Sequence, residues 1–355
     1  MKTESIRSLS ADIKSRRKVK LLFLILFMLL IIFLILDVFL GSVSIRPSEV
    51  IDALFRHTGS NFETIILKFR LPKAITALIV GVALSLSGLQ MQTVFRNPMA
   101  GPYVLGISSG ASLGVAFVIL GFSSGMTLDS LHGLGNWILV VASWVGAGAV
   151  MLLIMIISSK VKDIMTVLIL GIMLSSGISA VVTIMQYFSN ETMLKAYVIW
   201  TMGSLGNLTS DQLNVLLISV SAGAILSLFS SKWLNALLLG ENYATSIGLN
   251  VKFARTIIFV CTSILAGSVT AFCGPIGFIG IAVPHIARIL FRTSDHKVLI
   301  PGTILAGGTI MLISDIISQL PGSESILPVN AVTSLIGIPV VIWVIFRNRK
   351  YSGSF

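Results

Sequence analysis

Polar residues that could do chemistry are scarce in the interior of this sequence, and they gather in two clusters that also hold proline and glycine. The first cluster spans 90–102 and the second spans 274–288. Polar groups beside helix-breaking residues in apolar sequence are typical of broken backbone that lines a cavity between helices. We therefore predict that both clusters form a pathway or its gate. The candidate residues are Gln90, Gln92, Asn97, Pro98, Gly274, Pro275, Gly277, Phe278, Gly280, Pro284 and His285.

The sequence lacks the motifs that would indicate an enzyme of two common classes. The sequence holds no G-x-x-x-x-G-K-[ST] motif, so we expect no phosphate-binding loop, and its four histidines lack the H-E-x-x-H spacing of a zinc site. Cys261 and Cys273 have neither metal nor redox spacing and are predicted to be packing residues. An intramembrane enzyme that uses His285 stays as an alternative hypothesis, in which His285→Ala would abolish turnover but leave assembly intact.

Composition indicates which elements must position these residues. The chain has 355 residues, of which 55% are hydrophobic and 11% are charged. A soluble domain carries about 25% charged residues. Stretches such as Leu21–Leu36 and Trp137–Ile157 are nearly unbroken apolar runs, and a helix needs roughly 20 such residues to cross a bilayer. The sequence therefore predicts an all-α polytopic membrane protein.

Hydropathy and helix-breaking residues divide the chain into ten candidate transmembrane segments. They lie at 20–40, 63–93, 103–120, 136–158, 164–188, 211–229, 254–272, 276–291, 298–318 and 329–346. The second is long enough to kink or to leave the bilayer, and the eighth is short enough to be a broken helix. With the N-terminus inside, most of the 25 lysines and arginines fall on the cytoplasmic side. This asymmetry predicts that both termini are cytoplasmic, and it explains the net charge of +11 by topology and anionic lipid, with no nucleic-acid partner.

The domain organisation follows from these segments. We predict one transmembrane domain at 20–347, a cytoplasmic N-terminal segment at 1–19 and a cytoplasmic tail at 348–355. Basic residues before Leu21 resemble the charged region of a signal peptide. However, the apolar run is too long and no small-x-small cleavage site ends it, so the first helix is expected to be retained.

Residues 233–251, called the coupling segment below, are more than a tight cytoplasmic turn. Apolar and polar residues alternate there, and Gly240 and Gly248 divide the segment into short helices. An amphipathic cytoplasmic segment lies on the lipid surface or in the groove of a partner protein. The lack of a lysine- and arginine-rich polar face favours the partner protein.

Two short sequences resemble each other, G-P-Y-V-L-G-I at 101–107 and G-P-I-G-F-I-G-I at 274–281. If they mark an internal repeat, its two copies would run in opposite directions through the membrane, as in many transporters. The residues alone therefore predict a multi-helix transporter with a cytoplasmic docking segment. They do not specify the cargo.

Seven motifs, in order and at matching spacing, resemble the permease subunits of ABC importers for iron–siderophore complexes, haem and cobalamin, the FecCD-type family. The resemblance runs from about residue 45 to residue 347. The motifs are R-L-P-K at 70–73, G-V-A-L-S-L-S-G-L-Q-M-Q at 81–92, R-N-P-M-A-G-P-Y-V-L-G-I-S-S-G-A at 96–111, W-T-M-G-S-L at 200–205, L-L-L-G-E-N-Y-A-T-S-I-G-L-N-V at 237–251, G-P-I-G-F-I-G-I-A-V-P-H-I-A-R at 274–288 and L-P-V-N-A-V-T-S-L-I-G-I-P-V at 327–340.

The resemblance implies a type II ABC-importer permease, which is a homodimer of ten-helix subunits in the bacterial plasma (inner) membrane. The pathway would run along the dimer interface. Two copies of a separate ATPase subunit would bind from the cytoplasm, and an extracytoplasmic substrate-binding protein would dock opposite. ATP and Mg would be held by the ATPase, so the resemblance implies that this chain has no cofactor or metal of its own and is not itself an enzyme.

Docking residues also follow from the resemblance. The residues implied in ATPase coupling are Leu239, Gly240, Glu241, Ala244 and Gly248. Charge reversal at Glu241 is accordingly expected to uncouple transport. Arg70 and Lys73 match outer positions that face acidic residues of the binding protein. Snorkelling of both basic side chains to the membrane interface is the other interpretation.

The sequence departs from the family pattern on the outer side. Gln319 follows Asp315 by four residues where relatives have arginine, and Ile326 replaces an acidic residue that is displaced to Glu324. Asn330 replaces a glycine. These changes concern the contact with the binding protein more than the contact with the ATPase.

Two questions stay open at this point. An iron chelate is the first expectation for the cargo, followed by cobalamin and haem. The competing function is an ion- or proton-coupled secondary transporter, which requires ionisable residues deep in the helices. Asp37, Asp163, Asp211 and Asp315 lie near predicted helix ends, which disfavours that hypothesis.

Overall fold

A computed structural model describes residues 2–56, 61–121, 137–161, 163–319 and 326–352. Glu324, one of the residues that departs from the family pattern, lies outside these described residues, as do His57 and His132.

The described residues form helices and contain no strand. The helices are α1 (Lys2–Phe39), α2 (Pro47–Phe55), α3 (Asn61–Ile65), α4 (Leu71–Val94), α5 (Ile107–Ile119), α6 (Trp137–Lys160), α7 (Ile164–Tyr187), α8 (Glu191–Thr201), α9 (Ser210–Phe229), α10 (Ser231–Leu238), α11 (Glu241–Ser246), α12 (Val251–Cys273), α13 (Ile279–Phe291), α14 (His296–Ser318) and α15 (Val329–Ser352). A π-helical turn at Ile66–Arg70 joins α3 to α4, and a 3-10 turn at Pro102–Leu105 precedes α5.

Each of the ten predicted segments overlaps a helix. In the part of the chain that the structure describes, seven helical stretches are long and apolar enough to cross a membrane, and Ile107–Ile119, Ile279–Phe291 and Val329–Val344 are shorter apolar helices. The second predicted segment is long, at Asn61–Val94, and the eighth is short, as expected. The all-α polytopic class is therefore confirmed, whereas the number of crossings and the cytoplasmic termini stay predictions.

Two helices lie between predicted transmembrane segments, where the sequence analysis assigned no helix. Helix α2 begins with Pro47 at its first turn, where the missing amide hydrogen costs nothing, and it buries Val50 and Ala53. Helix α8 is capped by Asn190, whose side chain accepts from the backbone N–H of Met193. Both helices were missed because short amphipathic elements give a weak hydropathy signal.

Helices α4, α12 and α14 form the centre of the bundle. Most of their residues are buried, whereas a third or fewer are buried in α1, α6, α7 and α9. Apolar burial drives little association between helices in lipid, so close contact depends on small residues. A Cβ added to Gly81 would lie 2.3 Å from the carbonyl oxygen of Gly307, which shows how tightly α4 and α14 pack.

The two similar Gly-Pro sequences follow equivalent elements. Helix α4 leads to Gly101–Pro102 and the 13-residue α5, and α12 leads to Gly274–Pro275 and the 13-residue α13. A long buried helix, an irregular Gly-Pro turn and a short helix thus occur twice. This repeat brings both turns into the interior of the bundle.

Candidate functional site

A cavity of about 600 Å³ lies where the two Gly-Pro sequences meet. Its wall consists of residues from the turn before α5, from α7 and from the start of α13. They are Gly101, Pro102, Tyr103, Val104, Ile172, Ser175, Ser176, Ser179, Ile276, Phe278, Gly280 and Ile281. None of these lining residues carries a charge, so the wall presents hydroxyl groups and apolar surface to a passing molecule.

Glycine contacts hold the two Gly-Pro sequences together. A Cβ added to Gly88 of α4 would lie 1.7 Å from the carbonyl oxygen of Gly280. A Cβ added to Gly280 would lie 2.6 Å from the Cδ atom of Pro102. Because glycine has no side chain, the backbone of α4 meets that of α13 directly, and α13 meets the ring of Pro102 in the 3-10 turn, all behind the cavity wall.

Substitution of Gly88 by alanine is expected to destabilise this contact. The new methyl group would meet backbone that cannot rotate away, and overpacking of this kind costs about 1–3 kcal/mol. We expect a lower midpoint of thermal unfolding for the purified protein in detergent. Gly148→Ala in α6 is the matched control, because a Cβ at that position has no heavy atom within 4 Å. Equal midpoints for the two variants would contradict the packing described here.

Phe278 combines a place in the cavity wall with an unusual backbone. Its φ angle is 64°, in the left-handed region, where a non-glycine residue costs roughly 1–2 kcal/mol. The residue precedes α13, and the backbone N–H of Gly277 beside it donates to Oδ1 of Asn330 at 2.9 Å. Asn330, which departs from the family glycine, therefore links α15 to the turn that presents Phe278.

Only part of the predicted pathway set lines this cavity. Phe278 and Gly280 do so, and Gly274 lines a second cavity of about 450 Å³. Gln90 does not reach the first cavity. It is 1% exposed, its Nε2 donates to Ser227 Oγ at 2.8 Å, and its Oε1 accepts from Thr262 at 3.0 Å. The amide of Gln90 thus joins α4, α9 and α12, and a pathway role for this residue stays a prediction.

Gln92 and His285 hold α13 against the end of α4. Gln92 Nε2 donates to the carbonyl of Ile281 at 3.0 Å, and its Oε1 accepts from Arg288. His285 Nε2 lies 2.7 Å from the carbonyl oxygen of Pro98. These side chains therefore position the backbone behind the wall. A backbone carbonyl is neither a nucleophile nor an orienting carboxylate, which disfavours the intramembrane enzyme.

The remaining predicted pathway residues lie beside the wall. Asn97 and Pro98 form the exposed turn after α4, where Asn97 Oδ1 accepts from the backbone N–H of Met99. Pro284 is buried inside α13, and Pro275 and Gly277 lie in the turn that precedes it. None of these five residues is among the residues that line the first cavity.

The sequence analysis missed the hydroxyl residues that α7 contributes to the wall. Ser175 and Ser179 are four residues apart, and Ser176 lies next to the first of them. Residues at i and i+4 share one face of a helix, so this spacing is the signal that could have identified them. It was overlooked because serine is common in membrane helices as a packing residue.

The two outer basic residues have partners inside the chain. The Arg70 guanidinium is buried and donates to the carbonyl groups of Val38 and Phe39, the last residues of α1, and of Val43 just beyond it. The Lys73 ammonium lies 3.0 Å from Oδ1 of Asp315. Docking to a binding protein stays a prediction for both residues, and the geometry assigns each of them a role within the fold.

Lys73 belongs to a polar cluster at the ends of three helices. Its other members are Asp37, Asp315 and Gln319, which are buried. Gln319 Nε2 donates to Asp37 Oδ1 and to Asp315 Oδ2, both at 3.0 Å. Asp37 and Asp315 are 2% and 1% exposed. The cluster joins α1, α4 and α14, and Gln319, which replaces the family arginine, is an internal hydrogen-bond donor here.

The coupling segment forms two short helices, α10 and α11, with a sharp turn at Gly240. The φ angles of Gly240 and Gly248 are 111° and 86°, which L-residues rarely adopt, so both glycines are required by the turns that bound α11. Glu241 forms an ion pair with the buried Arg255 of α12. This pair fixes α11 on the bundle.

Only some of the predicted coupling residues face outward. Ala244 is fully buried, so it cannot touch a partner, and Leu239 is 65% exposed. Tyr243 and Ile247, which the sequence analysis did not single out, are also exposed, at 48% and 58%. Three large side chains with apolar surface are thus exposed on α11 and at its two ends.

Buried helices that enclose an uncharged cavity, together with an outward-facing amphipathic segment, define a polytopic membrane permease. The chain belongs to the FecCD transport family, whose sequence profile matches residues 29–347. This family consists of transport permeases rather than enzymes. The chain is accordingly a multi-pass protein of the plasma (inner) membrane with the architecture of an ABC-importer permease.

Individual relatives agree with this assignment. The chain is 34% identical over 348 residues to a protein of Methanocaldococcus jannaschii described as an ABC transporter permease, with 93% of this chain and 97% of the relative covered. It is 35% identical over 289 residues to the vitamin B12 import system permease protein BtuC of Salmonella typhimurium, with 81% and 85% covered.

Solved structures give the same result for the fold. One, reported as an inward-facing conformation of a metal-chelate type ABC transporter, matches with a TM-score of 0.78 at 27% identity and covers 92% of this chain and 99% of that chain. PsaBC from Streptococcus pneumoniae matches with a TM-score of 0.51 at 16% identity, over 79% and 92% of the two chains, and supports the fold alone.

Proposed function

We propose that this chain is the permease subunit of an ATP-driven importer for a bulky metal chelate. It works as a homodimer with two copies of a separate ATPase subunit, and an extracytoplasmic binding protein delivers the cargo. The observation that carries the proposal is the coupling segment, because α11 is fixed to the bundle by Glu241–Arg255 while Leu239, Tyr243 and Ile247 face outward. Exposed apolar side chains on a short helix are typical of a surface that a partner groove covers.

The class of cargo rests on the relatives and on the cavity. One relative is named for vitamin B12 import, and one structural match is named for metal chelates. The cavity wall offers hydroxyl and apolar surface without charge, so it has no group that would trap a large chelate in transit. Cobalamin is the first cargo to test, and the alternatives are a ferric siderophore, which the sequence analysis placed first, and haem.

Homodimer formation is part of the same proposal. Helix α7 supplies three serines to the cavity wall, yet fewer than a third of its residues are buried. Large apolar side chains such as Ile172, Met173 and Ile184 face outward along α7. A second copy packed against this side would extend the wall into a pathway between two subunits.

Reconstitution tests the proposal directly. The chain, its ATPase and its binding protein would be assembled in proteoliposomes, and uptake of cyanocobalamin, a ferric siderophore and haem would be measured with and without ATP. We expect uptake of one of these chelates that requires ATP and stops when the ATPase subunit is inactivated. Uptake that continues without a working ATPase and follows an ion gradient would instead support the secondary transporter.

A further inference from the structure

A hydrogen-bonded junction connects α10 of the coupling segment to the centre of the bundle. Asn235 of α10 places Oδ1 at 2.9 Å from the backbone N of His296 and at 2.7 Å from its ring Nδ1. Nδ2 of Asn235 donates to Asp295 Oδ1 at 2.7 Å. On the other side of the ring, His296 Nε2 lies 2.8 Å from Thr93 Oγ1 of α4. Two side chains thus join α10, the start of α14 and α4.

The donors and acceptors of this junction define its orientation. Because Nδ2 of Asn235 donates to a carboxylate, its Oδ1 is the acceptor and the proton on the His296 ring lies at Nδ1. Hydrogen bonds from the Lys297 backbone and from Asn235 hold the pKa of the Asp295 carboxyl below its ordinary value, so that acceptor stays charged. The Thr93 hydroxyl lies 2.8 Å from both His296 Nε2 and the Leu89 carbonyl, so its one proton can serve either acceptor.

The burial of His296 separates this junction from an ordinary surface contact. His296 is 1% exposed, although it lies at the first residue of α14. Asn235 is two residues from the buried Leu237 and five from Gly240, where α11 turns away. A displacement of α11 would therefore reach His296 through a short, hydrogen-bonded helix.

The junction leads on to the cavity wall through α4. Thr93 is adjacent to Gln92, which holds the backbone of Ile281, and one helical turn further back Gly88 touches Gly280. Ile281 and Gly280 both line the cavity. The contacts thus form one continuous series from the coupling segment to the wall.

We propose that Asn235, His296 and Thr93 are positioning residues that transmit movement of the coupling segment to α4 and, through it, to the cavity wall. This inference rests on the proposed function, since it assumes that an ATPase moves the segment.

The test compares cargo uptake with ATP hydrolysis in the assembled transporter in proteoliposomes. Thr93→Val is the main variant because valine keeps the shape of threonine and replaces only the hydroxyl with a methyl group. Asn235→Ala and His296→Ala remove the other two members. We expect each variant to keep its ATPase rate and complex yield while cargo imported per ATP hydrolysed falls about tenfold, within the range of typical coupling effects. The double variant Asn235→Ala/His296→Ala should fall no further than either single variant.

Thr262→Val is the matched control. It also removes one buried threonine hydrogen bond to α4, the 3.0 Å contact with Gln90, but it does not touch α10. It should leave the ratio of uptake to hydrolysis unchanged. An unchanged ratio of uptake to hydrolysis in Thr93→Val would overturn the inference. If both rates fell in parallel, the role of Thr93 would be merely structural, and if neither rate changed, it would have no role in coupling. Failure of the wild-type chain to import with ATP would instead count against the proposed function.

Discussion

Lys73→Met is expected to lower the free energy of unfolding by about 3 kcal/mol. Removal of one partner from a buried ion pair costs roughly 3–5 kcal/mol, because the remaining charge is left without compensation. The lower end applies here since the Lys73 side chain keeps 20% exposure while that of Asp315 has 1%. The loss would leave Asp37 and Asp315 close together, both bound to the single amide of Gln319. Thermal unfolding of the purified permease in detergent measures the effect.

Two further variants make the prediction specific. Lys73→Met/Asp315→Asn should recover part of the lost stability, because it also removes the uncompensated carboxylate. Arg56→Met breaks the exposed pair with Asp52 and should change the midpoint very little, since exposed ion pairs contribute 0–1 kcal/mol. If Lys73→Met unfolds like the wild type but binds the substrate-binding protein more weakly, Lys73 acts in docking and the structural role assigned here is wrong.

Tyr243→Ala is expected to weaken association with the ATPase subunit at least 30-fold. Truncation of an aromatic residue at the centre of an interface commonly costs 2 kcal/mol or more, and tyrosine is enriched among such residues. Tyr243 is 48% exposed on α11 and has the exposed Leu239 and Ile247 on either side of it in the sequence. Co-purification and the binding of labelled ATPase to permease in nanodiscs would measure the loss, which should also appear as reduced ATP-driven uptake.

Phe55→Ala is the control for this prediction. Phe55 is an exposed aromatic residue, at 79%, but it ends α2 in a connection predicted to lie outside the membrane. Its loss should leave the ATPase affinity unchanged when no binding protein is present. Equal affinities for Tyr243→Ala and the wild type would remove the exposed face of α11 from the docking site.

Glu241→Lys, the variant that the sequence suggested, is less informative. Glu241 is paired with the buried Arg255, so a lysine there would set two positive charges against each other inside the fold. The variant would displace α11 whether or not a partner binds. Tyr243 avoids this problem because its side chain lies on the outward-facing surface.

The repeat of long helix, Gly-Pro turn and short helix shows where sequence reasoning was effective. Apolar length and Pro-Gly interruptions are local properties of the chain, so they identified the ten segments, the short eighth helix and the two turns at Gly101 and Gly274. Family motifs are also local, and they assigned the chain to its permease class. The helix α2 was missed because nine residues of amphipathic sequence carry little hydropathy signal.

The sequence alone thus determined the membrane class, the apolar segments that form the long helices, and the family. Only the tertiary structure decided which polar residues face a cavity. In the sequence, Gln90 and Ser175 are both polar residues in apolar helices. In the structure, the amide of Gln90 is hydrogen-bonded to Ser227 and Thr262, whereas Ser175 lines the cavity wall. The same holds for Lys73 and His296, which contact Asp315 and Thr93 across more than 200 residues of chain. A side chain's role depends on which distant groups satisfy its hydrogen bonds, and that information exists only after the helices have packed.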